Sequence, residues 1–320
     1  MSSPTHLFGR LHNAVRTADR ILLVAHKKPD GDTLGSSAGF FNWCLREGKD
    51  VTAFCLDTPP DIYRYLDQLH RYTTDPAVFT KRYDLVVVFD SGDLKYCGVD
   101  RFIPNLPLGY LLVNLDHHVT NDRFGHLNIV LTDASSTAEV VYRFFEENKV
   151  PLDHRISTCL LTGLCTDTSN FSNAGTNSKA VEAAATLVGS GGRFQDILKH
   201  VWMSQSVDAL KIWGLMLSRL RHNPAYDVVA TYILQSDVTD ISNDAVDGIA
   251  NFLNAVTGNV DTILVLKEMP DGYVKGSFRS LTRDVSKVAR LLGGGGHKKA
   301  AGFTVKGRIA VTEKGPMVVQ

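Results

Sequence analysis

Asn114-Leu115-Asp116-His117-His118 closes the apolar run 110–115, and its reading decides the fold. An apolar segment of strand length that stops in an acid and two imidazoles places metal-capable side chains at the carboxyl end of a strand. Three further segments have the same form: 21–25 is followed by His26, 85–89 by Asp90, and 160–165, after Thr166, by Asp167. Open α/β sheets bind ligands outside the carboxyl ends of their strands, so these four ends are expected to converge on one crevice. Around them, apolar runs alternate with helical patterns: 21–25, a helix over 34–46 closed by Gly48, then 51–56, 85–89 and 110–115. That rhythm predicts βαβ units and an α/β domain with a mostly parallel sheet flanked by helices.

The periodicity predicts further helices over 137–148 and 178–188, the second ending at Gly189, Gly191 and Gly192. The first domain is expected to span 1–190, a helical linker 191–223 with its helix over 206–221, and a smaller α+β domain 224–320. In that last part strands are expected over 228–234, 262–266, 273–280 and 303–305, and a helix around 244–256.

With 320 residues, 44% of them apolar and 21% charged, the chain has material for two globular domains. Lys plus Arg and Asp plus Glu are equal at 34 each, which removes any bulk electrostatic reason to bind long duplex nucleic acid or an anionic membrane. No stretch approaches the roughly 20 apolar residues of a spanning helix, and the polar start 1–10 lacks the plan of a secretory signal. Five cysteines (Cys44, Cys55, Cys97, Cys159, Cys165), without CxxC spacing, suit buried thiols in a reducing compartment. These features lead to the expectation of a cytoplasmic protein with no membrane association.

His26-Lys27-Lys28-Pro29-Asp30-Gly31-Asp32-Thr33 packs three metal-capable residues into one loop after a strand. Taken singly, Asp32 or Thr33 reads better as the cap of a helix starting at Leu34, and Asp30 as a turn residue. Taken jointly, His26, Asp30 and Asp90 could hold one ion, and Asp32, Asp90, His117 and Asp167 another, with Asp90 bridging. Mixed carboxylate and imidazole donors without thiolate suit Mn²⁺, with Mg²⁺ or Co²⁺ possible, better than structural zinc. Two ions about 3.5–4 Å apart can activate a water between them and stabilise both oxygens of a displacement at phosphorus. His118 would then face the substrate phosphate, and Asp116 would orient an imidazole or hold the turn.

His26-x3-Asp30-x-Asp32, then Asp90, then Asp116-His117-His118, then Asp167, resembles the DHH phosphoesterase family. The run Gly293-Gly294-Gly295-Gly296-His297-Lys298-Lys299-Ala300-Ala301-Gly302-Phe303 resembles the nucleic-acid-facing motif of the DHH-associated domain that commonly follows. The resemblance covers nearly the whole chain. It implies two Mn²⁺ ions at the positions named above and a second domain that closes on the substrate across a cleft. Glycines let backbone N–H groups approach a phosphate, so Gly294, Gly295, Gly296 and His297 are expected to grip a nucleotide, with one glycine of the run capping a helix. Arg279, within Ser277-Phe278-Arg279-Ser280, matches the family's substrate-holding arginine, and Ser277 is expected beside the substrate. Two departures bear on substrate length and leave the ligands intact. Lys95 and Tyr96 stand where an arginine is common, and 168–173 lacks a frequent glycine and arginine.

The two-domain size further resembles the nanoRNases. The expected activity is hydrolysis of short single-stranded RNA and dinucleotides to nucleoside 5'-monophosphates, with 3'-phosphoadenosine 5'-phosphate as a companion substrate and a homodimer possible. Neutral net charge disfavours a processive exonuclease, which needs an extended basic channel. A phosphodiesterase of cyclic or linear signalling dinucleotides is the alternative enzyme. A catalytically silent nucleotide-binding sensor is the alternative from another class.

Overall fold

The computed structural model describes residues 4–173, 175–203, 206–238, 248–256, 260–312 and 315–319. The chain divides into two compact units, Met1–Ser204 and Gln205–Gln320. The first opens with helix α1 (Pro4–Thr17), followed by β1 (Arg20–Ala25), α2 (Gly31–Arg46), β2 (Asp50–Cys55) and the short β3 (Tyr72–Thr73). Next come β4 (Leu85–Phe89), α3 (Leu94–Cys97), β5 (Leu111–Asp116), β6 (Leu127–Val130), α4 (Thr137–Glu147), α5 (His154–Asp167), α6 (Ser178–Gly189) and α7 (Phe194–Ile197).

The strands form one parallel sheet in the order β3-β2-β1-β4-β5-β6. Parallel strands covered on both faces read as unbroken apolar runs, which is why 21–25 and 85–89 show no alternation. Ile21, Leu23, Leu85, Val87 and Phe89 enter one core, and Leu22, Val24, Val86 and Val88 the other. The order reverses direction between β1 and β4, so the ends of these two neighbours splay into a crevice at the switch point. His26 and Asp90 follow those two ends directly, and Asp116 ends β5 on the next strand over.

One expectation needs correction. The run 160–165 is no strand; it lies inside α5, which Asp153 caps by accepting from Arg155 N and Ile156 N. A helix buried over most of its circumference loses the polar face that would reveal its period, and a six-residue window cannot tell it from a buried strand. Asp167 therefore reaches the crevice from a helix end. Likewise α2 starts at Gly31, three residues before the expected Leu34, because Asp30 is the cap. The helices expected over 137–148 and 178–188 are α4 and α6, and the five cysteines are buried and free.

α2 and α5 cross at glycines. A Cβ at Gly35 would stand 2.4 Å from the Cys159 carbonyl oxygen and 2.8 Å from Gly163 N, so the two backbones touch. The serines of α2 tolerate full burial because Ser36 and Ser37 donate to the carbonyls of Asp32 and Thr33, one turn back.

The second unit contains α8 (Val207–Ser218), β7 (Arg221–Asn223), β8 (Val228–Ile233), α9 (Ile249–Val256), β9 (Thr262–Glu268), β10 (Tyr273–Ser280), α10 (Val285–Leu291), β11 (Gly295–His297), β12 (Ala300–Lys306), β13 (Arg308–Thr312) and β14 (Gly315–Val319). Its mixed sheet runs β11-β12-β10-β9-β8-β7, and β13 pairs with β14. The helix expected around 244–256 is present from Ile249; 244–247 lies outside the described residues. No described helix is long and apolar enough to cross a membrane.

Gly35→Ala should lower the unfolding free energy by about 1–3 kcal/mol, because its methyl group meets backbone that cannot rotate away. The urea midpoint measures this, and an unchanged midpoint would mean that the helices separate without cost.

Candidate metal centre

The crevice collects the expected ligands into three overlapping groups whose donor atoms lie within 4.8 Å of one another: His26, Asp30 and Asp90; Asp32, His117 and Asp167; and Asp90, Asp116, His117 and His118. Asp90 touches both ligand sets. His26 Nε2 is 3.5 Å from its Oδ2, and His117 Nε2 is 3.7 Å from its Oδ1. His26 Nε2 also stands 3.7 Å from Asp30 Oδ1, and His117 Nε2 3.4 Å from Asp167 Oδ2. Donor atoms about 2.1 Å from a shared first-row ion are separated by roughly these distances.

The tautomers fit the same purpose. His26 Nδ1 lies 2.7 Å from the Lys27 carbonyl and His117 Nδ1 3.3 Å from the Ala134 carbonyl. A carbonyl can only accept, so Nδ1 carries a proton in both and Nε2 is the atom aimed at the carboxylates and offered to an ion. Burial opposes charge on His26, but Asp30 and Asp90 outweigh it and raise its pKa to about 11, so an ion must displace the Nε2 proton. His118 differs. Its Nδ1 is 2.8 Å from Asp116 Oδ1, a carboxylate that also accepts from His117 N at 2.8 Å and from the Asn121 amide. Asp116 thus orients His118 and fixes the turn.

Asp30 is both cap and cluster member: Oδ1 accepts from Asp32 N at 3.0 Å and Thr33 N at 3.1 Å. Asp32 is buried and straddles the start of α4, accepting from Thr137 N at 2.6 Å and Ala138 N at 2.8 Å. Thr137 Oγ1 donates to Asp90 Oδ1 at 2.9 Å. Sequence reading passed over this turn, although Ser136-x-x-Glu139 is a capping signal. Glu139 is fully buried and accepts from Ser135 N at 2.7 Å, from Ser135 Oγ at 2.8 Å and from the Arg143 guanidinium, which clamps the turn from its far side.

Burial and the neighbouring acids Asp90, Asp167 and Asp30 hold the Asp32 carboxyl well above its ordinary range. Burial, with repulsion from Asp90 and Asp30, pushes Asp167 up to about 7. Burial also works to raise Asp90, but His26, His117 and His118 outweigh it and the group ends low. His118 is raised to about 9: burial opposes its charge, and Asp116 and Asp90 prevail.

In the second unit, Ser277 and Arg279 lie on β10, opposite Gly302 and Ala300 of β12. The Arg279 guanidinium donates to the Phe278 carbonyl at 2.8 Å, and burial draws its pKa down. The glycines divide by role. Gly293 caps α10, donating to the Arg290 carbonyl at 3.0 Å while Gly294 N donates to the Ala289 carbonyl at 2.8 Å. A Cβ at Gly294 or Gly296 would collide with β12, whereas Gly295 has neither a crowded Cβ direction nor a positive φ. The His297 backbone pairs with Ala300; its side chain lies outside the described residues.

The model of the DHH family, N-terminal domain, matches residues 20–164, and that of the DHHA1 domain matches 227–314. The bifunctional oligoribonuclease and PAP phosphatase NrnA of Thermus thermophilus is 30% identical over 288 residues, 90% of this chain and 84% of that protein. The cyclic-di-AMP phosphodiesterase PdeA of Listeria monocytogenes is 26% identical over 95% of this chain and 48% of its own length. An exopolyphosphatase-related protein of Bacteroides fragilis shares the fold, with a TM-score of 0.86, 22% identity, and coverage of 93% of this chain and 90% of that one.

Two outcomes are expected. The raised carboxyls of Asp32 and Asp167 bind protons more tightly folded than unfolded, so they favour folding at acid pH and lose that contribution as pH rises, Asp167 through about 7. A divalent cation must displace those protons, so Mn²⁺ should raise Tm more at pH 7.5 than at pH 5.5. Equal shifts would place no titrating acid in the site. Glu139→Ala should cost about 1–3 kcal/mol in unfolding free energy and shrink the Mn²⁺-induced Tm shift, with Glu139→Gln recovering part of both. An undiminished Tm shift would show that the α4 turn does not depend on Glu139.

Proposed function

Since the chain belongs to the DHH family and carries a DHHA1 domain after its metal-binding unit, we propose that it is a cytoplasmic phosphoesterase. It hydrolyses dinucleotides and very short oligoribonucleotides to nucleoside 5'-monophosphates and removes the 3'-phosphate of 3'-phosphoadenosine 5'-phosphate. The observation that carries this reading is Asp90 standing between two ligand sets, His26 with Asp30 and His117 with Asp167, at one switch point. The first set would hold one Mn²⁺ and the second, with Asp32, another. When bound, such ions supply an activated water and a counter-charge for the phosphoryl oxygens.

The chain's own residues do the rest. The backbone carbonyls of Lys27 and Ala134 keep both ligating imidazoles turned inward. The start of α4 fixes Asp32 through two N–H groups and steadies Asp90 through Thr137, so the carboxylates present a constant geometry to the substrate phosphate. His118, whose charge Asp116 favours and whose ring Asp116 aligns, would hold a phosphoryl oxygen and give a proton to the leaving ribose oxygen. Arg279 and Ser277, with the edge Gly294, Gly295, Gly296 and His297, would bind the nucleotide, and an arginine fork suits a terminal phosphate.

Product analysis with Mn²⁺ on RNA of two to twenty nucleotides, 3'-phosphoadenosine 5'-phosphate, linear and cyclic dinucleotides, and pyrophosphate tests the reading. Fast release of monophosphates from the shortest RNAs is expected, with slow attack on the longest and loss of at least a thousandfold in Asp90→Ala. Preference for cyclic dinucleotides would transfer the metal chemistry to the alternative substrate. Undiminished turnover in Asp90→Ala would sink the bimetal reading, and a wild-type protein with no turnover would be a silent nucleotide binder.

A further inference from the structure

Tyr96 stands at the rim of the metal centre with 51% of its surface in solvent. Its ring centroid is 5.4 Å from that of His26, inclined at 49°. An exposed tyrosine is ordinary in itself. This one is built into place. Asp93 Oδ1 accepts from Tyr96 N at 2.6 Å and starts α3. On one side Lys27 Nζ donates to the Lys95 carbonyl at 3.1 Å; on the other Lys27 N donates to the carbonyl of buried Cys97 at 3.0 Å. The backbone flanking Tyr96 is therefore tied to the loop that carries His26, which sets the Cα from which the ring rests beside a metal ligand. Nothing in the hydrolytic chemistry uses it.

We infer that Tyr96 is a stacking platform for the nucleobase of the nucleotide whose phosphate is under attack, a base subsite on the metal-binding unit itself. This rests on the phosphoesterase reading above. A phosphate engaged on a cation held by His26, Asp30 and Asp90 would carry its base one ribose away, toward the ring packed beside His26. Among so many carboxylates the ring offers an uncharged face. Every base has a π face, so the contact adds affinity with little dependence on sequence, and only stacking strength separates purines from pyrimidines. A subsite of this kind would also help a chain of zero formal net charge to hold a dinucleotide, because one stacked base substitutes for several backbone contacts.

Steady-state kinetics on the full-length protein with Mn²⁺ provide the test, using diadenosine monophosphate and its two analogues with an abasic sugar at the 5' or the 3' position. Tyr96→Ala should raise KM for the intact dinucleotide roughly 5- to 100-fold, the span of one base–aromatic contact, with the loss falling on KM and not on kcat. Tyr96→Phe keeps the ring and should restore KM. For one of the two abasic analogues, KM should be the same with and without the ring. An unchanged KM in Tyr96→Ala overturns the subsite, as does an equal rise on both abasic analogues. Loss of the Mn²⁺-induced Tm shift in Tyr96→Ala would reduce the residue to packing on His26 and overturn it as well. Wild-type protein that cleaves none of these substrates overturns the proposed function first, and the subsite with it.

Discussion

Asp30, Asp32, Asp90, Asp116 and Asp167 crowd together at one sheet edge, and the first unit is organised around their repulsion. Carboxylates this close raise one another's pKa unless something positive stands among them. The chain supplies two kinds of electropositive partner. Imidazoles surround Asp90, and backbone N–H groups at helix starts meet Asp30 and Asp32. The field of a helix terminus falls off within its first turn, so α4 must begin at one place only. That requirement explains why Glu139, deep in the protein and away from the carboxylates, is ionically clamped to Arg143. It also explains the glycine contact of α2 with α5, since a Cβ at Gly163 would stand 2.7 Å from Asp32 Oδ1.

How much of this was legible depended on where each residue sits relative to a strand. His26, Asp90 and Asp116 end strands buried on both faces, and such strands announce themselves as short apolar runs. Asp167 was placed in the right crevice for the wrong reason. The run before it is as apolar as a strand, but α5 is buried on nearly every side and its period is hidden. Asp30 shows the opposite ambiguity: its sequence context reads as turn residue or ligand, with the cap left to Asp32 or Thr33, whereas its carboxylate has the geometry of both cap and ligand. The α4 turn escaped notice because Ser135, Ser136 and Thr137 carry no charge and act through backbone groups that any residue possesses.

The glycine run of the second unit teaches a related lesson. Read as a string, four glycines suggest a nucleotide grip and one helix cap; packed, they also serve a third purpose, close strand contact. Gly293 turns the chain at the end of α10, Gly294 and Gly296 admit β12 to close contact, and Gly295 alone has no packing reason to lack a side chain. A phosphate-binding role is therefore argued most cleanly from Gly295, where stability does not compete as an explanation.

Backbone strain points to the same edge of the first unit. Among the described residues, nine other than glycine have positive φ, and Lys28, Asp90, Ser169, Asn170 and Phe171 lie within four residues of a clustered ligand. A left-handed residue with a side chain costs about 1–2 kcal/mol, and three in succession after Asp167 are hard to justify as relaxed structure. Their hydrogen bonds supply the reason. Asn170 N donates to the Cys165 carbonyl at 2.7 Å, Ser169 N to that of Thr166 at 3.2 Å, and the Asn173 amide to that of Asp167 at 2.7 Å. The turn seals the carbonyl end of α5 abruptly. The strain thus sits at the abrupt stop of the helix whose last residue is a clustered acid, with Phe171 turned onto the core beside it.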